Sequence, residues 1–230
     1  MKREIERKPG FNLLYLAIII VILLALLFLI MNQSSEKEPA PVVQEKKVKL
    51  FNGTDLSNWE FFLVDSLIDP ATIFKVNGNL IRIEGEPFGY MRTVDEYKDY
   101  KLHVEWRWPE EESNSGVFLN ISGEDKKWPA TIECQLKAGN AGDFVFLGDS
   151  DAIERVDKSN LVIAKKEESN EKPSGEWNEY DIHCMNDSII VYVNGTLQNR
   201  CTDPAPNSGH IGLQSEGKPI EFRNVYLVQF

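Results

Sequence analysis

The segment Tyr100–Trp108 alternates strictly, with Tyr100, Leu102, Val104, Trp106 and Trp108 set between Lys101, His103, Glu105 and Arg107. Side chains on a strand leave opposite faces with period two, so one face is aromatic and the other titratable. An acid, a guanidinium and an imidazole on one face can move protons and steady an oxyanion; they can equally form ion pairs on a solvated sheet. The pattern recurs. Glu133 and Gln135 oppose Ile132, Cys134 and Leu136; Gln214 opposes Ile211 and Leu213; Glu221 and Arg223 share a face after Ile220. If these strands lie in one sheet with polar sides aligned, they form a floor of Glu, Arg and Gln. Carboxylates and amides suit sugar hydroxyls, and Arg can pair bidentately or stabilise an oxyanion. Trp106 and Trp108 belong with the core. Trp128, in the turn-rich 123–129 segment, is placed to stack on a pyranose face.

Strands must present these residues, and the chain is rich in strand signals. From Val48 onward it is a succession of short β-runs split by Gly, Asn, Asp and Pro. Asn77-Gly78-Asn79 between two apolar runs, and Asn194-Gly195-Thr196 after Ile189–Val193, read as hairpins. No sustained helical period follows residue 48, apart from a short possibility at Ala152–Val156. The pattern predicts an all-β antiparallel sandwich or jelly roll with its first and last strands adjacent. The Asn-x-Ser/Thr triplets beginning at Asn32, Asn52, Asn120, Asn186 and Asn194 read as turns.

Cys134, Cys184 and Cys201 lack zinc-motif spacing, and the chain has three His. Cys184 and Cys201 could pair in an oxidising compartment, leaving Cys134 on the apolar face. No cofactor is expected. Asp143, Asp149 and Asp151 offer oxygen ligands to a divalent cation such as Ca²⁺, but at the spacing of no defined loop.

Leu13–Met31 is apolar without a charge, close to the length of a bilayer span. Lys2, Arg3, Arg7 and Lys8 precede it, with Glu4 and Glu6 partly offsetting them. The positive-inside rule puts residues 1–12 in the cytoplasm, makes 13–31 an uncleaved single-pass signal anchor, and puts the C-terminal domain outside, in the periplasm or the extracellular space. Residues 32–47, with Pro39 and Pro41, read as a flexible linker, and 48–230 as the folded domain. The net charge is −11, and −13 once the basic N-terminus is set aside. An acidic exported domain argues against nucleic acid as partner.

Several segments together resemble the 3-keto-disaccharide hydrolase domain family, formerly a domain of unknown function. They are Leu50-Phe51-Asn52-Gly53-Thr54-Asp55-Leu56-Ser57-Asn58-Trp59, Glu105-Trp106-Arg107, Asn114-Ser115-Gly116-Val117-Phe118, Glu133-Cys134-Gln135-Leu136, Gly175-Glu176-Trp177-Asn178, Val193-Asn194-Gly195, and the stretch from Gly209 through Gln214 and Gly217 to Val225. The resemblance spans residues 48–230. It implies a concanavalin-like jelly roll acting on 3-keto-glycosides, as a 1,2-lyase or a 3-keto-2-hydroxyglucal hydratase. A C3 ketone acidifies the C2 proton, so a base can form an enolate and expel the C1 substituent. Glu133 or Glu105 is then the base, Arg107 or Arg223 the enolate stabiliser, and the other carboxylate the acid. Asn114, Gln135 and Gln214 would orient hydroxyls, with His103, Trp128 and Glu221 lining the sugar site. A binding module without catalysis remains open, as does a conventional glycosidase. The paired acids of jelly-roll glucanases, Glu-x-Asp-x-x-Glu, have no counterpart at Glu133.

Overall fold

A computed structural model describes residues 13–31 and 45–230. The chain divides between Val43 and Gln44 into two units. In the first, the helix α1 covers Leu13–Met31, 19 residues. Its side chains are described from 14 to 28, and all are exposed. That shorter stretch is below the length of a span, and among the described residues no helix is long and apolar enough to cross a membrane. Most of the expected 32–47 linker lies outside the described residues.

The second unit is built of strands: β1 (Lys46–Lys49), β2 (Trp59–Leu63), β3 (Phe74–Asn77), β4 (Leu80–Ile83), β5 (Gly89–Thr93), β6 (Tyr100–Arg107), β7 (Gly116–Ser122), β8 (Ala130–Gln135), β9 (Phe144–Leu147), β10 (Val162–Ile163), β11 (Asn178–Met185), β12 (Ser188–Val193), β13 (Thr196–Thr202), β14 (His210–Ser215) and β15 (Ile220–Gln229). The fold begins at Lys46, two residues before the expected Val48, because β1 pairs antiparallel with the end of β15 from Lys46↔Gln229 to Lys49↔Tyr226. The first and last strands are therefore neighbours. Ala152–Val156 forms turns and no helix.

Two antiparallel sheets form a jelly-roll sandwich. The first runs β13-β12-β11-β6-β15-β4-β3, with β1 also on β15; the second runs β10-β9-β8-β7-β14-β5-β2. Gly78, at φ +63°, supplies the left-handed turn that joins β3 to β4. Period-two alternation decides which residues meet between the sheets. Val104, Trp106, Tyr180, Ile182, Phe222 and Leu227 from the first face Val117, Leu119, Ile132, Cys134, Phe144 and Leu213 from the second, all essentially inaccessible to water. Burial of each such side chain contributes about 1.5–3 kcal/mol. Tyr180 reaches across the sandwich, its hydroxyl donating to the Gln135 carbonyl and accepting from the Gly142 amide at 2.7 Å. It thereby fixes the end of β8.

The cysteines are free and buried. Cys184 lies opposite Ile189, which lies opposite Cys201, so β12 stands between them. Two strand spacings, about 9.6 Å, exceed the reach of a disulfide. The expected pairing does not form.

Candidate active site

The recurring polar faces do not share one sheet. Glu105 and Arg107 on β6, and Glu221 and Arg223 on β15, belong to the first sheet; Glu133 and Gln135 on β8, and Gln214 on β14, belong to the second. Each sheet turns its apolar side inward, so the two polar faces point away from each other with the core between them. The single floor expected from the sequence is two surfaces on opposite sides of the domain. Glu105, Arg107, His103, Glu221 and Arg223 are thus separated from Glu133.

On the first sheet the polar groups satisfy one another. Arg107 pairs with Glu221 at 2.7 Å, and Arg82 approaches the same carboxylate at 3.5 Å. Arg223 holds Glu105 at 2.6 Å while the Asn224 amide donates to its other oxygen at 2.5 Å. Partial burial works to raise the Glu105 pKa, but the hydrogen bonds from Asn224 and Arg223 outweigh it and hold the carboxyl below its usual range. His103 takes the Asp181 carboxylate at 2.7 Å, a hydrogen bond that raises the imidazole pKa against its partial burial. Both guanidinium groups lie over the Trp177 ring, Arg107 at 4.7 Å and Arg223 at 4.0 Å.

On the second sheet three of the polar oxygens are left unsatisfied. Asn114, Trp128, Glu133, Gln135, Gln214 and Glu216 line a cavity of about 620 Å³ together with Val145, Leu147 and Leu161. Glu133 is 3% exposed. Its Oε1, the Asn114 Oδ1 and the Gln214 Oε1 are buried and have no hydrogen-bond partner. Burial, reinforced by the neighbouring Glu216 carboxylate, pushes the Glu133 pKa up to about 8. Burial also raises Glu216, which hydrogen bonding from Asn114 and the charges of Lys127 and Lys137 partly offset.

Local sequence explains the geometry. β7 places Gly116 beside Glu133, and a Cβ on Gly116 would stand 2.2 Å from Glu133 Oε1. The missing side chain makes room for the carboxyl. The Gln135 Oε1 accepts from the Leu136 and Lys137 amides, which leaves Nε2 as its donor. Asn114 pairs with Glu216 as an isolated antiparallel bridge, and the Ser115 hydroxyl donates to the Gln214 carbonyl at 2.8 Å. The Trp128 loop is anchored from β5: the Tyr90 hydroxyl donates to Asp125 at 2.8 Å, and Arg92 reaches the same carboxylate at 3.2 Å. Trp128 is 42% exposed, with Phe88 edge-on at 4.7 Å.

Of the expected residues, the cavity therefore gathers Glu133, Asn114, Trp128, Gln135 and Gln214. Glu216 was missed. It lies two residues beyond Gln214, where continued alternation puts it on the same side, but past the end of β14. Among the described residues no cluster of His, Cys, Asp and Glu fits a metal ion. Asp143 accepts from Asn140 and the Lys165 amide, and Asp151 is engaged by Lys158.

The 3-keto-α-glucoside-1,2-lyase-like domain profile matches residues 46–228. The chain belongs to that family. Comparison with curated proteins gives no match. Among solved structures, the chain is similar to a candidate glycosyl hydrolase from Parabacteroides distasonis, at 18% identity and TM-score 0.59, covering 80% of this chain and 94% of that one. It is also similar to the β-glucanase of Bacillus licheniformis, at 14% identity and TM-score 0.52 over 80% and 96%. A third likeness is to SCLam, a non-specific endo-β-1,3(4)-glucanase of family GH16, at 13% identity and TM-score 0.57 over 81% and 92%. At these identities the likeness is one of fold. Family and fold together are those of a carbohydrate-active enzyme.

Proposed function

We propose that the domain cleaves 3-keto-glycosides by β-elimination, with Glu133 as the base and Glu216 as the acid. The observation that carries this reading is the group of three buried, unpartnered oxygens in one cavity, on Glu133, Asn114 and Gln214. Such acceptors are costly to bury unless a ligand supplies donors, and sugar hydroxyls are donors. An ionised Glu133 carboxylate removes the C2 proton of the 3-keto sugar. The C–H electron pair passes into the C2–C3 bond, and negative charge gathers on the C3 oxygen as an enolate. Amide donors from Gln135 and Gln214 serve that oxygen, in place of the arginines expected from the sequence. Collapse of the enolate forms the C1–C2 double bond and breaks the bond from C1 to the glycosidic oxygen, which takes a proton from Glu216. The products are a 3-keto-2-hydroxyglucal and a free alcohol; addition of water to the glucal completes a net hydrolysis. A pKa of about 8 suits Glu133, because a base must be strong to take a carbon-bound proton yet ionised in part near neutral pH.

The same reading puts the domain outside the cytoplasm, tethered by α1 with the basic residues 1–12 inside. Its support is in the sequence, where the uncharged apolar run Leu13–Met31 follows Lys2, Arg3, Arg7 and Lys8. A C-terminal phosphatase fusion is expected to be active only outside the cytoplasm; an inactive fusion would overturn the topology.

The chemistry is tested by incubating the full chain with a 3-keto-disaccharide and following products by mass spectrometry. The expected result is a free monosaccharide with the enone or its hydrate. Retention of the sugar without conversion would make the domain a binding module. Cleavage of the unoxidised disaccharide at the same rate would make it a conventional glycosidase.

A further inference from the structure

The loop of residues 123–129 leaves β7 and enters β8, and its two bases are joined by the pair Ser122↔Ala130. Between them it meets β5. The Tyr90 hydroxyl donates to Asp125 Oδ1 at 2.8 Å and lies 3.4 Å from the Lys126 carbonyl, while Arg92 approaches Asp125 Oδ2 at 3.2 Å. One carboxylate thus takes a donor on each oxygen, and both donors are themselves fixed. Tyr90 is fully buried, with the rings of Phe62 and Phe118 at 5.1 and 5.6 Å; Arg92 is also held by Glu60 on β2 at 2.9 Å. The strand register ties this latch to the site. Tyr90 stands directly opposite Gln214 on the β5–β14 ladder, and Trp128, three residues after Asp125, walls the cavity that contains Gln214 and Glu133. We propose that Asp125 is a positioning residue: by taking both β5 donors it sets where the Trp128 ring stands over the cavity, and so how tightly a sugar ring is held there. The proposal rests on the reading of that cavity as the 3-keto-sugar site.

Asp125 is exposed and belongs to the charged run Glu124-Asp125-Lys126-Lys127, which water alone would solvate well. An exposed ion pair by itself would fix little. The phenol makes the difference, because a carboxylate accepts here from a donor that the packed core does not let move. Burial, and then the Asp125 hydrogen bond, raise the Tyr90 pKa above its ordinary value, so the hydroxyl remains a donor across the neutral range. Trp128 is half exposed and meets Phe88 edge-on at 4.7 Å. A single edge contact leaves such a ring free to tilt. The latch on the backbone beside it narrows that freedom, and ordering a wall before the ligand arrives lowers the cost of binding.

The test compares KM and kcat of the full chain on a 3-keto-disaccharide in wild type, Asp125→Ala, Asp125→Asn, Trp128→Ala and the double variant Asp125→Ala/Trp128→Ala, with melting temperature as the check on folding. Asp125→Ala is expected to raise KM by up to about tenfold, the scale of one aromatic packing contact, and to leave kcat within about twofold. Asp125→Asn keeps an oxygen for the Tyr90 hydroxyl and is expected to restore most of the affinity. In the Trp128→Ala background, Asp125→Ala is expected to raise KM no further, because the side chain it positions is gone. A full further rise there would overturn the proposal, since Asp125 would then act on something other than Trp128. An unchanged KM in Asp125→Ala, or a loss confined to kcat, would overturn it as well. If wild type binds the sugar without converting it, Kd by calorimetry replaces KM in the same comparison, and the latch is judged apart from the chemistry. If wild type neither binds nor converts it, the cavity is no sugar site and the latch falls with that reading.

Discussion

The outer faces of the two sheets read alike in sequence and differ in what their polar groups have to bond. On the first sheet Glu105, Arg107, Glu221 and Arg223 are paired, and Trp177 lies under both guanidinium groups. On the second, Glu133 stands buried with one carboxyl oxygen unpartnered, and among the described residues no arginine or histidine lines its cavity. A satisfied carboxylate is held in its charged form and has little left to give a substrate. An unsatisfied one carries its cost in the folded state and recovers it when a ligand or a proton arrives. Under the proposed function, chemistry belongs to one face and stability to the other, and each assignment can be broken.

The largest expected effect is on turnover. Glu133→Gln keeps shape but removes the base, and is expected to lower kcat by about 10²–10⁴-fold. Glu105→Gln is expected to leave turnover of the same 3-keto-disaccharide within about twofold, since it lies on the opposite face. Comparable losses in the two variants would remove the distinction between the faces.

The pH dependence sharpens the same contrast. With the Glu133 pKa at about 8, ionisation of the base is expected to raise kcat/KM as pH climbs towards that value, and ionisation of the acid Glu216 to add a falling limb. Stability runs the other way. A carboxyl whose folded pKa lies above its unfolded value binds more protons when folded, so its contribution is fullest below about pH 4 and is lost as pH rises towards 8. Glu133→Gln is therefore expected, despite its loss of turnover, to melt higher than wild type at pH 8, with little difference at pH 4. A lower melting temperature at pH 8 would mean that Glu133 is paired in the folded protein.

Gly116→Ala probes position without touching the carboxyl. The new Cβ would stand 2.2 Å from Glu133 Oε1, so the acid must swing aside. Displacement of a reacting group by about 1 Å can cost on the order of 10²-fold, and kcat is expected to fall by that scale while the melt stays cooperative. Unchanged kcat would show that the carboxyl has other productive positions.

Strand-level structure was legible in the sequence because alternation is local. Leu80–Ile83 and the face shared by Glu133 and Gln135 follow from residue type and spacing alone. The allocation of strands to sheets was not legible. β6 lies between β11 and β15, whereas β8 lies between β7 and β9, and nothing within either strand records its partners. Four polar faces consequently read as one site. The same tertiary fact removed the Cys184–Cys201 pairing, since β12 separates two residues that sequence distance alone leaves free to meet. Glu216 escaped notice because it lies beyond the last residue of β14, although it keeps that strand's alternation.

The smallest expected effect tests the paired face. Arg223 meets Glu105 through Nε at 2.6 Å and lies 4.0 Å over the Trp177 ring, with its side chain about one-third exposed. Lysine in its place keeps the charge but loses the planar surface that covers the indole. Asn224 still donates to Glu105, so the carboxylate is not stranded. A partly exposed ion pair and one cation–π contact are each worth about 0.5–1 kcal/mol. Arg223→Lys is thus expected to lower stability by about 1 kcal/mol in chemical denaturation, with kcat and KM unchanged. If Arg223 were the enolate stabiliser that the sequence suggested, the loss would fall on kcat instead, and the division of labour between the two faces would have to be abandoned.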